Sequence, residues 1–247
     1  MPDSFPLGLY DGLAIVFFLA VWTFYAYATD GRLFRRVSLT QAMNRQREAW
    51  MRTMARRELR MIDTGIMAGL QQGTAFFASS SLIALGGCFA LLNSSEQVMA
   101  ILADLPLGAT QMRGVLELKI LGLVVLLAYS FFKFAWSYRL FNYCSILIGA
   151  VPVLRDEAAH SAETEAAQKR ATRMNVLGGK HFNAGLRGIF FSIGYLGWFI
   201  GPAVLAATSL FVLLVLVRRQ FFSQARLAVL EGMDQPGNGE SMRPASQ

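Results

Sequence analysis

The chain has 247 residues, 54% of them hydrophobic and only 16% charged, against the roughly one quarter charged residues of an ordinary soluble domain. Its apolar residues are gathered into long blocks, which excludes a water-soluble globule and indicates a membrane protein. The net charge of +7 comes from 19 Arg and 4 Lys against 16 acidic residues, and in such a chain a basic excess serves topology and anionic lipid rather than nucleic acid.

The first apolar block, Leu9 to Ala28, is twenty residues long, which makes about 30 Å of helix and matches the hydrocarbon core. Asp3 and Asp11 lie at its start without any Lys or Arg, so it reads as a retained span rather than a secretory signal. Residues 40–70 have a two-faced helical pattern. Arg45, Arg52, Arg56 and Arg60 share one sector, while Met43, Trp50, Met51, Met54, Met61, Ile62 and Ile66 spread over another. A helix of this kind lies on a membrane surface or packs its apolar side on the protein's own helices. The second is the expectation here.

A second span is expected at 74–92, followed by a polar loop whose only cation is Arg113, and a third at 115–136. Glu117 and Lys119 at the third span's entry read as solvated border residues, with Arg113 one turn from Glu117. Lys133, Trp136 and Tyr138 at its exit suit the headgroup level. Apolar sequence continues to Pro152. The segment 155–177 then reads as a helix with acids first (Asp156, Glu157, Glu163, Glu165) and bases last (Lys169, Arg170, Arg173), in keeping with the helix dipole. Gly178-Gly179 reads as its stop, and its acidic half is expected to face the arginine row.

The last block, 187–217, contains thirty uncharged residues after Arg187. Splitting it at Gly201-Pro202 leaves halves of about fifteen residues, short of the roughly twenty a crossing needs, with a turn whose backbone groups lack partners in lipid. A single long span kinked at Pro202 is therefore expected. Its overhang, 182–195, is expected to pair with 133–151 below the membrane. Nine Arg in residues 29–72 and seven Lys or Arg in 135–187, against none in 1–8 and one in 93–114, put both basic connections in the cytoplasm. Both termini then lie outside. The tail, 232–247, has too little apolar content to order itself, which leaves one membrane domain over 1–231.

Asn183 and Arg187 are four residues apart and share a helix face with Phe191, Gly194 and Trp198. An arginine at that depth binds a headgroup phosphate or an anionic solute, or anchors the border. Arg139 and Asn142 are the other candidate contacts. His181 lies off that face, and with His160 as the only other histidine, neither in a span, paired haem ligands are not available. Cys88 and Cys144 form no metal or disulfide pattern and read as packed thiols. With no phosphate loop, zinc motif or nucleophile elbow, no catalytic, cofactor or metal residue is nominated. Gly65-xxx-Gly69 and Gly197-xxx-Gly201 offer small-residue faces for close helix packing or self-association.

Three phrases carry a family likeness: Trp-Ser-x-Arg-x-x-Asn-Tyr at Trp136–Tyr143, Phe-Asn-x-Gly-x-Arg at Phe182–Arg187, and a basic pair before Phe and Ser at Arg218–Ser223. Over about residues 8–232 the chain resembles the domain-of-unknown-function family 599. It departs at Ile189-Phe190-Phe191, where relatives are Tyr-Tyr-Phe-like. The resemblance implies a bacterial integral inner-membrane protein and brings no activity or catalytic residue. The expected protein is all-α, with four transmembrane helices and cytoplasmic helical extensions. Its expected role is non-enzymatic: binding a partner protein or anionic lipid through Arg45, Arg52, Arg56 and Arg60. The alternative is a small transporter or channel lined by Asn142, Asn183 and Arg187, and a lipid-acting enzyme comes third.

Overall fold

The computed structural model describes residues 7–29, 36–103, 112–153 and 162–231, and among these the regular structure is entirely helical. In chain order the helices are α1 (Leu9–Thr29), α2 (Leu39–Ala55), α3 (Met61–Asn93), α4 (Ser95–Ala103), α5 (Arg113–Gly149), α6 (Ala162–Tyr195), α7 (Pro202–Phe221) and α8 (Gln224–Leu230), with a 3₁₀ turn at Leu196–Phe199 after α6. Four are long and apolar enough to cross a bilayer: α1, α3, α5 and the Pro202–Leu230 segment. The protein is an all-α membrane protein. Asp156, Glu157, His160 and the 232–247 tail lie outside the described residues.

The long helices rise well beyond a bilayer's needs. With 33, 37 and 34 residues, α3, α5 and α6 are each about 50–55 Å long, and their surplus projects from one end, the arginine-rich end. Two stacked cores result. Within the apolar layer, Phe18, Leu116, Ile120, Phe191, Tyr195, Trp198 and Leu205 join α1, α5, α6 and α7. Beyond it, Met51, Met54, Met67, Phe141, Cys144, Ile148 and Ala171 join α2 to the overhangs of α3, α5 and α6. The apolar side of α2 is thus covered by the chain's own helices. Both thiols are buried and free.

α5 and α6 run antiparallel in close contact because α6 presents glycines to α5's rings. A Cβ added at Gly178 would lie 2.7 Å from Phe141 Cε1, and one at Gly185 2.6 Å from Phe134 Cε1. Both pairs are spaced by seven residues, so knobs and gaps stay in step along the seam. Ser137 donates to the Gly178 carbonyl at 2.7 Å and Cys144 to that of Ala171 at 3.5 Å. This corrects the expected helix stop: Gly178-Gly179 is a packing site inside one continuous α6. It also corrects the pairing, since the partner of the α5 overhang is the stretch around 171–185, while Tyr195 reaches Lys119 higher up.

Residues 40–70 also form two helices rather than one. Ser38 caps α2 in a reciprocal box with Gln41. α2 ends at Ala55, and Asp63 at the start of α3 accepts from Trp50 Nε1 and Arg57 Nη1, each at 2.7 Å. That buried carboxylate fixes the elbow between them.

The largest correction concerns 187–217. The chain turns back after Phe199, and α7 descends antiparallel to α6. Thr208 Oγ1 donates to the Gly194 carbonyl at 2.6 Å, Gly197 faces Val204 and Thr208, and Arg219 stands over the Phe190 ring. Pro202, at the first turn of α7, starts that helix instead of kinking a longer one. The turn is not short of partners. Lys119 Nζ donates to the Trp198 carbonyl at 2.8 Å, and the Trp198 indole donates to Asp11 Oδ1 at 2.7 Å. Lys119 is 3% exposed, so it is an interior donor and no solvated border residue; Glu117 does pair with Arg113, at 2.8 Å.

The ends of the described chain consequently lie at opposite ends of the bundle. Gln220 Nε2 donates to Thr40 Oγ1 at 2.6 Å and Arg226 Nε to the Val37 carbonyl at 2.7 Å, which puts α8 at the arginine-rich end and not beside Leu9.

Gly185→Ala is expected to cost about 1–3 kcal/mol through overpacking, because the buried Phe134 is itself held by stacking on Phe77. Thermal unfolding in detergent measures this as a lower Tm. Gly65→Ala, where nothing lies within 4 Å, should leave Tm unchanged or slightly raised.

Candidate functional site

Four segments meet where α1, α6 and α7 reach the arginine-rich border and α2 begins. Between them lies a cavity of about 360 Å³. Tyr25 and Thr29 come from the end of α1, Thr40, Asn44 and Arg47 from α2, Lys180, Asn183 and Arg187 from α6, and Arg219 and Gln220 from α7. Among the described residues its wall holds four cations and no carboxylate. Leu39, Met43, Leu186, Phe190 and Leu216 make its apolar side.

The cations are seated by different local devices. Lys180, Asn183 and Arg187 follow a three-then-four spacing, which stacks them on one face of α6. Arg187 Nη1 donates to Thr29 Oγ1 at 3.0 Å, while its Nε is buried without a hydrogen-bond partner. Arg47 lies against the α6 backbone at Gly179, so closely that any side chain there would strike its guanidinium. Its Nη1 points to Asn44 Oδ1 at 3.5 Å. Burial pushes the Arg47 guanidinium below its ordinary range, opposed in part by the neighbouring Cys144; desolvation disfavours the charged form. An anion in the cavity reverses that penalty. Arg219 is held over the face of Phe190, 5.7 Å from the ring centroid.

Toward the opposite end the cavity stops at aromatic rings. Trp22 stacks on Phe191 with centroids 5.4 Å apart, and Phe18 meets Phe191 and Tyr195 edge to face.

The sequence-derived candidates divide. Asn183 and Arg187 line the cavity. Arg139 does not; it is exposed and donates to the Tyr143 hydroxyl at 2.7 Å. Asn142 is half-buried on α5 and is not a lining residue. Arg45, Arg52 and Arg56 are exposed on α2, Arg52 lying 3.9 Å from Glu48. Arg60 turns inward, donating to the carbonyls of Ile148 at 2.7 Å and Pro152 at 3.3 Å. It closes the carbonyl end of α5. His181 faces the Trp136 ring, away from the cavity.

Arg47 and Lys180 carry no sequence signal that marks them, and Arg219 is marked only as half of the basic pair at Arg218–Ser223. Lys180 belongs to the same periodic row as Arg187 once α6 is followed through Gly179. Arg219 comes into reach only through the hairpin.

Because Arg60 caps α5, Arg60→Ala is expected to speed amide exchange around residues 149–153, leaving the rest of α5 protected. Arg56→Ala, which removes an exposed side chain, should not change that pattern; hydrogen exchange read by mass spectrometry separates the two.

No curated protein and no solved structure matches the chain. One family does, over residues 13–225, a stretch that contains every residue lining the cavity: the chain belongs to the family described as a protein of unknown function, DUF599.

Proposed function

We propose that the protein is a non-enzymatic component of a bacterial inner membrane that holds an anionic lipid headgroup in the basic cavity, with the arginine-rich end in the cytoplasm. The carrying observation is that Arg47, Arg187 and Arg219 converge on one cavity, Arg187 with a buried Nε that has no hydrogen-bond partner. Arg47 and Arg187 are half-buried and lose hydration there, and an anion offsets that cost. Guanidinium forks match phosphate oxygens in geometry as well as charge.

The depth of the site favours a lipid. The cavity sits where α1 and α7 end, at headgroup level, and one side of it is apolar. Lipid meets both requirements at once, a charged head and a greasy stem. The exposed Arg45, Arg52 and Arg56 add a positive field around the mouth, which draws anionic lipid or an acidic partner toward the surface. A solute path is the weaker reading, since the Phe18, Trp22, Phe191 and Tyr195 rings fill the space beyond Tyr25.

Native mass spectrometry of the purified protein, after exchange into nanodiscs of phosphatidylcholine with or without phosphatidylglycerol, tests this. Retained phosphatidylglycerol is expected, reduced roughly tenfold in Arg187→Gln/Arg219→Gln, because charge-assisted hydrogen bonds contribute about 1.5–3 kcal/mol each. Arg139→Gln should retain as the parent does. Indifference to lipid class, or wild-type retention by the double variant, would overturn the proposal.

A further inference from the structure

In the second core, α3, α5 and α6 bring two sulfur atoms against one buried amide. Asn175 Nδ2 lies 3.4 Å from Met67 Sδ and 3.7 Å from Cys144 Sγ. Met67 is 1% exposed, and Cys144 and Asn175 are wholly buried. We propose that these three side chains form a site for one soft monovalent cation, Cu(I), held by thiolate, thioether and amide oxygen. The proposal stands apart from the headgroup reading and shares no ligand with it.

The amide gives the first argument. Buried polar groups are ordinarily hydrogen-bonded, and one that is not calls for a reason. Among the described residues Asn175 Nδ2 meets only sulfur, a weak acceptor, and Oδ1 has no hydrogen-bond partner. An apolar side chain in this core would carry no such cost. A half-turn of the amide exchanges its two ends and turns Oδ1 toward both sulfurs. Oxygen, thioether and thiol then face one point between three helices.

Spacing and ligand type give the second. Three ligand atoms around an ion at about 2.3 Å lie about 4 Å from one another. The amide-to-sulfur distances of 3.4 and 3.7 Å therefore need to open by only a few tenths of an ångström, which the flexible methionine chain allows. Thiolate with thioether suits Cu(I). Among the described residues no three His, Cys, Asp or Glu side chains converge, so harder ions lack their ligands. Charge selects in the same direction. One thiolate and one monovalent ion make a neutral pair, whereas a divalent ion leaves a charge uncompensated in a sealed core.

Binding is an exchange of one cation for another. The Cys144 S–H bond breaks, a sulfur–copper bond forms, and the proton leaves to solvent, with no change of oxidation state. Before binding the thiol donates to the Ala171 carbonyl at 3.5 Å. Burial pushes that thiol up to about 11, against the opposite pull of Asn175 and Arg47, so the resting form is protonated. One proton released per ion makes the affinity rise about tenfold for each pH unit below that value. Met51 and Met54 belong to the same core and close it from the α2 side.

The test presents Cu(I) without air, as its bicinchoninate complex, to the full chain in detergent. Fading of the coloured complex gives the affinity, and native mass spectrometry is expected to count one ion per chain. Cys144→Ser removes the anionic ligand and should weaken binding at least about a hundredfold, since even outer partners of a metal site are worth 10–100-fold. Met67→Leu keeps the volume and should weaken it roughly tenfold. Asn175→Leu should do the same while leaving Tm unchanged or raised, because it also removes the unpartnered amide. Cys88→Ala should bind as the parent does. If Cys144→Ser does not fold, Met67→Leu and Cys88→Ala still decide between the two thiols. Copper left on the chelator, parent-like affinity in Met67→Leu and Asn175→Leu, loss of binding in Cys88→Ala, or preference for Zn(II) over Cu(I) each overturns the site.

Discussion

A turn inside an apolar layer is tolerable only when its backbone groups find partners, and the loop between α6 and α7 depends on that condition. Lys119 delivers its amine from α5 to the Trp198 carbonyl, and the Trp198 indole reaches Asp11 on α1. Three helices are thereby tied at one corner. Pro202 contributes by having no N–H to satisfy and by opening α7 with a preset φ. Everything at the other end follows: α7 returns alongside α6, Arg219 arrives next to Arg187, and Gln220 and Arg226 bind the start of α2.

The arginine-rich end is built as an extension of the bundle rather than as a separate domain. α5 and α6 continue their glycine-against-phenylalanine seam beyond the bilayer, and α2 covers the exposed flank with Met51 and Met54, neither of which retains measurable exposure. Methionine suits this place because its flexible thioether fills irregular gaps between helix overhangs. The same packing fixes α2 at one end while its other end forms a wall of the cavity. Anion binding and the seating of α2 are thus mechanically adjacent.

Much of the architecture is legible in the residues. Block length and charge identify α1, α3 and α5, and the two-faced pattern of 40–70 locates α2 but misses its end at Ala55. The length surplus of α5 correctly implies overhangs. The failures share one cause, which is that a glycine's meaning depends on its neighbours. Gly178-Gly179 has the look of a helix stop, yet Phe141 and Arg47 occupy the space a side chain would take. Gly201-Pro202 looked unable to support a turn, since the interior amine that completes it comes from residue 119, far away in the chain. With a helix stop at Gly178-Gly179 and a single span over 187–217, Lys180, Asn183 and Arg187 do not form one row and Arg219 is not their neighbour. The candidates therefore sort by tertiary position: Asn183 and Arg187 line the cavity, Arg60 caps a helix, Asn142 is half-buried on α5, and Arg45, Arg52, Arg56 and Arg139 are exposed.

The central claim is the return of α7 along α6. In a chain with Cys88 and Cys144 replaced by Ala, cysteines at Thr40 and Gln220 test it by cross-linking with a short bifunctional maleimide. The hairpin predicts efficient cross-linking, because those side chains touch at 2.6 Å. A continuous helix from 187 onward would hold residue 220 about 50 Å from the border, and a cross-link from position 220 to a cysteine at Tyr10 instead of Thr40 would contradict the account.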